Sequence, residues 1–242
     1  MAVMQAGTEP ARSTIRIRTM NFRTRIKICG LTRPEDLEAA VAAGADAIGL
    51  VFYPRSPRFI APEQAATLLA GVPPFVTAVG LFVNATPDEV EAVVRAAPVS
   101  LLQFHGDESV EDCVAIAQRV NRPFLRAVRI GADMTAADLL KCEQQYRAAS
   151  TLFSGLLLDA LVDGYGGGGK VFDWSLIPKE LAPRVVLSGG LSAQNATEAV
   201  LQVRPRAVDV SSGVEQAKGI KDPARIRAFI AAVREADATT SE

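Results

Sequence analysis

A chain of 242 residues has room for one large domain or two small ones, and α/β barrels of about 250 residues are common single domains. Lys and Arg total 26 against 27 Asp and Glu, which argues against general nucleic-acid or membrane-surface binding, since either needs a basic excess. Apolar residues make up 49%, enough for a sizeable core, and no apolar run reaches the length of a bilayer span.

Residues 1–24 hold Arg12, Arg16, Arg18 and Arg23 against a single acid, Glu9, and lack the continuous apolar stretch of a secretory signal. They read as a disordered extension, or as sequence upstream of a later start at Met4 or Met20. From there, strand-like runs begin near Arg25, Ala47, Phe75, Ser100, Pro123, Gly155, Arg184 and Ala207. Helical patterns lie between them, including Pro34 to Ala43, Pro62 to Leu69, Pro87 to Ala96 and Val110 to Arg119, and a last one covers Ala224 to Ala236. Start signals accompany several: Thr32 before Pro34, Thr86 before Pro87 with Glu89 following, and Asn195. Eight strands alternating with eight helices predict a single-domain (β/α)8 TIM barrel over 25–236, followed by a flexible tail, 237–242. A doubly wound open sheet is the rival, but the first strand is not followed by GxGxxG.

The three cysteines, Cys29, Cys113 and Cys142, are widely spaced, no CxxC occurs, and His105 is the one histidine. A metal site, a disulfide framework and most catalytic triads are thereby disfavoured, and a reducing cytoplasm is the default location. In a barrel of this kind chemistry sits where strands end. The first strand ends at Cys29-Gly30, the second runs into a loop bearing Arg55 and Arg58, the fourth ends at His105-Gly106, and the sixth ends at Asp159 before the glycine-rich stretch Asp163 to Lys170. The last two strands close in Ser188-Gly189-Gly190 and Ser211-Ser212-Gly213. Turns of this composition let a backbone approach an anion, and the loops after strands seven and eight commonly hold a phosphate. Read alone, each is equally an ordinary tight turn, a lone cysteine is usually a small buried hydrophobe, and Asp159 suits a cap.

Seven segments in order, Lys27 to Gly30, Phe52 to Arg58, Gln103 to Gly106, Leu157 to Asp159, Tyr165 to Trp174, Leu187 to Leu191 and Val208 to Glu215, resemble the phosphoribosylanthranilate isomerase family of tryptophan biosynthesis. The resemblance runs from Arg25 to Val233; four consecutive glycines in the sixth loop and Phe104 in place of the common Leu are its small departures. It implies an Amadori rearrangement of N-(5-phosphoribosyl)anthranilate to 1-(2-carboxyphenylamino)-1-deoxyribulose 5-phosphate, without metal or organic cofactor. The implied partner is a small-molecule substrate, with no nucleic acid or membrane, in a monomer or homodimer.

By the same resemblance Cys29 is the base, Asp159 the acid and Arg58 the partner of the anthranilate carboxylate. Gly189, Gly190, Ser211, Ser212 and Gly213 would hold the phosphate. Lys27 lies on the strand face of Cys29 and is expected to help the thiol toward thiolate, with Asp209 as its buried counter-ion. Asp159 is expected to be kept protonated by apolar neighbours and a nearby carboxylate. Gly164 to Gly169, with Gly167 at its centre, reads as a lid that excludes water. His105 is read as a substrate contact or as a satisfied loop histidine. Rival readings on the same barrel are indole-glycerol-phosphate synthase, which would want further catalytic Lys and Glu at strand ends, and a dual-substrate aminoaldose isomerase, which would use two aspartates. A phosphate-ligand sensor that binds without turnover is the non-enzymatic alternative.

Overall fold

Eight parallel strands, hydrogen-bonded to one another in sequence order, close into a barrel in the computed structural model, which describes residues 23–161 and 171–239. The strands are β1 (Arg25–Cys29), β2 (Ala47–Val51), β3 (Thr77–Phe82), β4 (Leu101–Phe104), β5 (Phe124–Ile130), β6 (Phe153–Ala160), β7 (Val186–Leu187) and β8 (Ala207–Val210). Pairing of β8 with β1, which sets Lys27 beside Asp209, completes the ring and leaves it no open edge. Around it stand α1 (Pro34–Ala42), α2 (Pro62–Leu69), α3 (Pro87–Ala96), α4 (Val110–Val120), α5 (Ala136–Ala149), α6 (Ala196–Val203) and α7 (Pro223–Thr239). A short hairpin, β9 (Glu215–Ala217) and β10 (Ile220–Lys221), follows β8.

Alternation along the strands divides the side chains into two layers. Ile26 and Ile28, Ile48 and Leu50, Leu102 and Phe104, Leu156 and Leu158, and Val208 and Val210 belong to the core shared with the helices. The residues between them, among them Lys27, Gly49, Gln103, Leu157 and Asp209, face the barrel interior, and Cys29 and Asp159 continue the same rows to the mouth. Phe104 is accommodated in the outer layer, its ring centroid 6.5 Å from that of Phe82 and 5.7 Å from that of Phe124. Thr86, Ser109 and Thr135 each form a capping box with the acid three residues on.

Several boundaries differ from the sequence expectation. Strand three begins at Thr77, because Phe75, after two prolines, takes φ +70 and is fully exposed. Thr32 does not cap α1, since its hydroxyl donates to the Gly219 carbonyl. Asn195 ties the preceding turn, accepting from the Ser192 N–H and donating to the Gly190 carbonyl. Where an eighth helix was expected between β6 and β7, the described residues form two single 3-10 turns, Trp174–Leu176 and Ala182–Arg184; Pro178 and Pro183 remove N–H donors there. Arg23 and Thr24 pack with the barrel: Arg23 pairs with Asp46, and Thr24 donates its N–H and hydroxyl to Asp237. The accepting Asp237 lies in α7, which runs to Thr239, past the expected end at Ala236. Residues 1–22 of the proposed extension, and the loop Gly164 to Gly169 with Gly167, lie outside the described residues.

Candidate active site

Strand β1 carries Lys27 and Cys29 on one face. The pairing expected of Lys27 is present: its Nζ lies 2.9 Å from Asp209 Oδ1, and both side chains are 5% exposed. Ser188 Oγ donates to the other Asp209 oxygen at 3.4 Å. Burial by itself would lower the lysine pKa, but pairing with the Asp209 carboxylate keeps Lys27 above its ordinary range. The lysine is therefore a fixed cation.

The thiol departs from expectation. Burial pushes Cys29 above its ordinary value; Lys27 pulls it down, while Asp209 opposes Lys27. The physical reason is twofold: the strand end is dry, packed among Val51, Leu81 and Val83, and the carboxylate that holds Lys27 also cancels part of its field. Burial therefore favours the thiol of Cys29 over its thiolate. Room for it comes from Gly49 on the neighbouring strand, where a Cβ would stand 2.7 Å from Cys29 Sγ and 3.1 Å from Lys27 Cε.

Asp159 lies near the end of β6, separated from β1 round the ring by β7 and β8 alone. Its Oδ1 accepts the Ala160 N–H at 2.9 Å, and its Oδ2 is 3.1 Å from His105 Nε2. The other histidine nitrogen is 2.9 Å from Gln103 Nε2. The partners of its two oxygens are thus a backbone amide and an imidazole. Gln103 and His105 alternate on β4 and its extension, so both face across the barrel toward β6. His105 is a satisfied histidine, and Asp159 is one of the groups that satisfies it. Gln103, not singled out from the sequence, is fully buried, and among the described residues its Oε1 meets no partner.

Arg58 does not project freely. Its Nε and Nη2 donate to Glu215 at 2.7 and 2.8 Å, and Glu215 also accepts from Lys221 Nζ at 2.9 Å. Burial would raise the Glu215 pKa, but Arg58 and Lys221 keep it below the usual carboxylate range. Burial pulls Lys221 below the usual lysine range, against Glu215; the two partners of one ion pair thus move the same way, because Lys221 is fully buried and Arg58 repels it. Arg55 is exposed, as expected of a loop charge.

The two glycine turns interlock. Gly189 and Gly190 take φ +84 and +65, a backbone that only glycine adopts without strain. A Cβ on Gly189 would meet Ala160 N at 2.5 Å and Asp159 Oδ1 at 2.9 Å, and one on Gly213 would overlap the Leu191 carbonyl. Ser211 Oγ donates to the Cys29 carbonyl at 3.1 Å. Among the described residues the N–H groups of Gly189 and Gly190 meet no acceptor, the condition an anion site requires. No group of three His, Cys, Asp or Glu suited to hold a metal occurs among the described residues.

The family model described as N-(5'phosphoribosyl)anthranilate (PRA) isomerase matches residues 26–232. The chain belongs to this family. An N-(5'-phosphoribosyl)anthranilate isomerase of Herminiimonas arsenicoxydans is 71% identical over 220 residues, covering 91% of this chain and 97% of the relative. The crystal structure of phosphoribosyl anthranilate isomerase from Thermotoga maritima superposes with a TM-score of 0.77 at 42% identity, covering 88% of this chain and 99% of that one. A phosphoribosyl anthranilate isomerase solved in complex with reduced 1-(o-carboxyphenylamino)-1-deoxyribulose 5-phosphate superposes with a TM-score of 0.72 at 38% identity and the same coverages.

Proposed function

We propose that Cys29 and Asp159 are the base and the acid with which this chain performs the isomerase reaction of its family. That reaction, a step of tryptophan biosynthesis, converts N-(5-phosphoribosyl)anthranilate to the 1-deoxyribulose 5-phosphate. The observation that carries the assignment is the strand order: β7 and β8 lie between β6 and β1, so the two glycine turns stand on the rim between Asp159 and Cys29. A sugar phosphate anchored on those turns has one group on either side of its pentose.

Ring opening needs a proton on the furanose oxygen. Asp159 supplies it, and the anthranilate nitrogen lone pair forms the Schiff base as the C1′–O bond breaks. Cys29, once its thiol has lost a proton to solvent, takes the C2′ proton as the thiolate, the electron pair moves into the C1′–C2′ enolamine, and tautomerisation gives the ketone. Rotating the Gln103 amide would bring its unpartnered Oε1 onto His105 Nδ1–H and turn Nε2 into an acceptor for a protonated Asp159, the state the acid role calls for. Thiolate formation at Cys29 occurs beside the permanent charge of Lys27, which stabilises the ion once formed.

For the substrate's ends, the Gly189-Gly190 amides and the Ser211-Ser212-Gly213 turn suit the phosphate. Arg58 keeps its Nη1–Nη2 edge for the anthranilate carboxylate, since Glu215 occupies the other edge. The chain works on a small molecule, and no helix among the described residues is long and apolar enough to cross a membrane. A cytoplasmic location fits a biosynthetic enzyme with free cysteines. Sedimentation distinguishes monomer from homodimer.

Cys29→Ala and Asp159→Asn should each lower turnover by about two to four orders of magnitude while circular dichroism stays that of the wild type. The assay follows loss of anthranilate-substrate fluorescence, and complementation of a tryptophan auxotroph lacking this step gives the same reading in cells. Near-normal activity in either variant removes that residue from its role.

A further inference from the structure

The hairpin after β8 places a carboxylate against an arginine assigned to bind a carboxylate. By charge alone this is unfavourable, because Glu215 repels the anion that Arg58 would receive. The surrounding geometry gives it a different use. A Cβ on Gly30 would meet Arg58 Cδ at 2.5 Å, and one on Gly219, at the hairpin tip with φ +78, would meet the Pro57 carbonyl at 2.6 Å. Arg58 is thus packed on one side by the β1 turn, its chain is pressed by the hairpin tip, and its Nε–Nη2 edge is held by both oxygens of Glu215. The Nη1–Nη2 edge that remains has one direction available.

Lys221 extends the same construction. It is fully buried, and its Nζ lies 2.9 Å from Glu215 Oε1, 3.1 Å from the Ser211 carbonyl and 3.3 Å from Ser211 Oγ. One ammonium group therefore neutralises Glu215 and holds the turn that follows β8. We propose that Glu215 and Lys221 are positioning residues: Glu215 aims Arg58 at the carboxylate of the arylamine and so sets preference for a carboxylated substrate, and Lys221 locks that subsite to the phosphate turn through Ser211. The inference rests on the assignment of Arg58 to that carboxylate.

The test compares the full-length wild type, Arg58→Ala, Glu215→Gln and Glu215→Asp on two substrates, N-(5-phosphoribosyl)anthranilate and the aniline counterpart that lacks the carboxylate. Loss of hydrogen bonds to a charged group predicts that Glu215→Gln raises KM for the carboxylated substrate about tenfold or more, with kcat falling less and the aniline counterpart little affected. Glu215→Asp keeps the charge but withdraws it by one methylene, and should raise the same KM. A purely electrostatic role gives the opposite sign, since removing a negative charge beside Arg58 would lower KM. Lys221→Met should in addition weaken competitive inhibition by inorganic phosphate, and by more than Glu215→Gln does, since the latter keeps the ammonium on Ser211.

If Arg58→Ala abolishes the preference for the carboxylated substrate while both Glu215 variants keep it, the inference is overturned and the Arg58 assignment stands. If Arg58→Ala keeps the preference, the assignment falls and the inference with it. Should Lys221→Met not fold, the double variant Glu215→Gln/Lys221→Met removes both charges, and unchanged phosphate inhibition in it overturns the part given to Lys221.

Discussion

Gly49→Ala tests whether the position of the Cys29 thiol matters, without replacing either proposed catalytic residue. The glycine does not have positive φ, so alanine brings no backbone strain, and the whole effect is steric. The new methyl would stand 2.7 Å from Cys29 Sγ and 3.1 Å from both Cys29 Cα and Lys27 Cε. Non-bonded heavy atoms settle at about 3.5–4.0 Å, so the sulfur must retreat by roughly 1 Å or rotate to another χ1 well. Either response takes the proposed base away from the C2′ proton. A displacement of about 1 Å at a reacting group costs on the order of a hundredfold, whereas overpacking by one methyl costs roughly 1–3 kcal/mol of stability, which a folded barrel tolerates. We expect kcat/KM, followed by loss of substrate fluorescence, to fall about a hundredfold while circular dichroism still reports the wild-type fold. A folded Gly49→Ala protein retaining more than about a third of the wild-type rate would refute the argument, because a base held in place by packing cannot be displaced so cheaply.

Because burial raises Cys29 and a base acts deprotonated, kcat/KM should climb as pH rises toward the elevated thiol value; a flat profile between about pH 6 and 9 would mean that another group removes the proton. Lys27→Met leaves Asp209 buried without its cation and should cost about 3–5 kcal/mol in urea unfolding. Adding Asp209→Leu should recover most of that stability but not the activity, since the thiol still lacks its neighbouring charge; recovered turnover would dismiss Lys27 from the site. Asp46 is held below the ordinary carboxylate range: burial would raise it, but hydrogen bonds from Arg23, Arg25 and the Ile26 N–H prevail. A depressed folded pKa contributes stability above the unfolded value of about 3.9 and loses it as pH falls through the folded one. Asp46→Asn should therefore lower the thermal midpoint at neutral pH, with the gap to wild type closing on acidification; a gap that stays constant would mean the pairs with Arg23 and Arg25 add nothing.

The architecture was legible wherever a single strand or helix carries its own signal. Ile26 and Ile28 alternate with Lys27 and Cys29, Pro87 follows a capping threonine, and Val208 and Val210 flank Asp209, so period and cap place these elements without tertiary knowledge. Strand ends then locate Cys29 and Asp159, and the barrel rule brings β8 beside β1, from which the Lys27–Asp209 pair follows. What stayed hidden depends on depth or on contacts between distant segments. The sign of the Cys29 shift turns on how dry the end of β1 is and how far Asp209 offsets Lys27, and neither is a property of local pattern. Pro178 and Pro183 were visible, yet the count of strands predicted a helix around them.

Glu215 and Lys221 illustrate the same limit from the other side. A glutamate and a lysine in a short polar segment read as surface charges, for nothing nearby in the chain says that Lys221 is fully buried. Their meaning comes from closure of the ring, which returns the segment after β8 to the loops after β1 and β2 and sets Glu215 on an arginine 157 positions earlier. A guanidinium can be recognised from sequence as a carboxylate partner, but which of its edges is free is decided by the groups that occupy the other. In this barrel those groups lie on the hairpin whose Lys221 also binds Ser211, so under the proposed assignments the arylamine end and the phosphate end meet at one buried side chain.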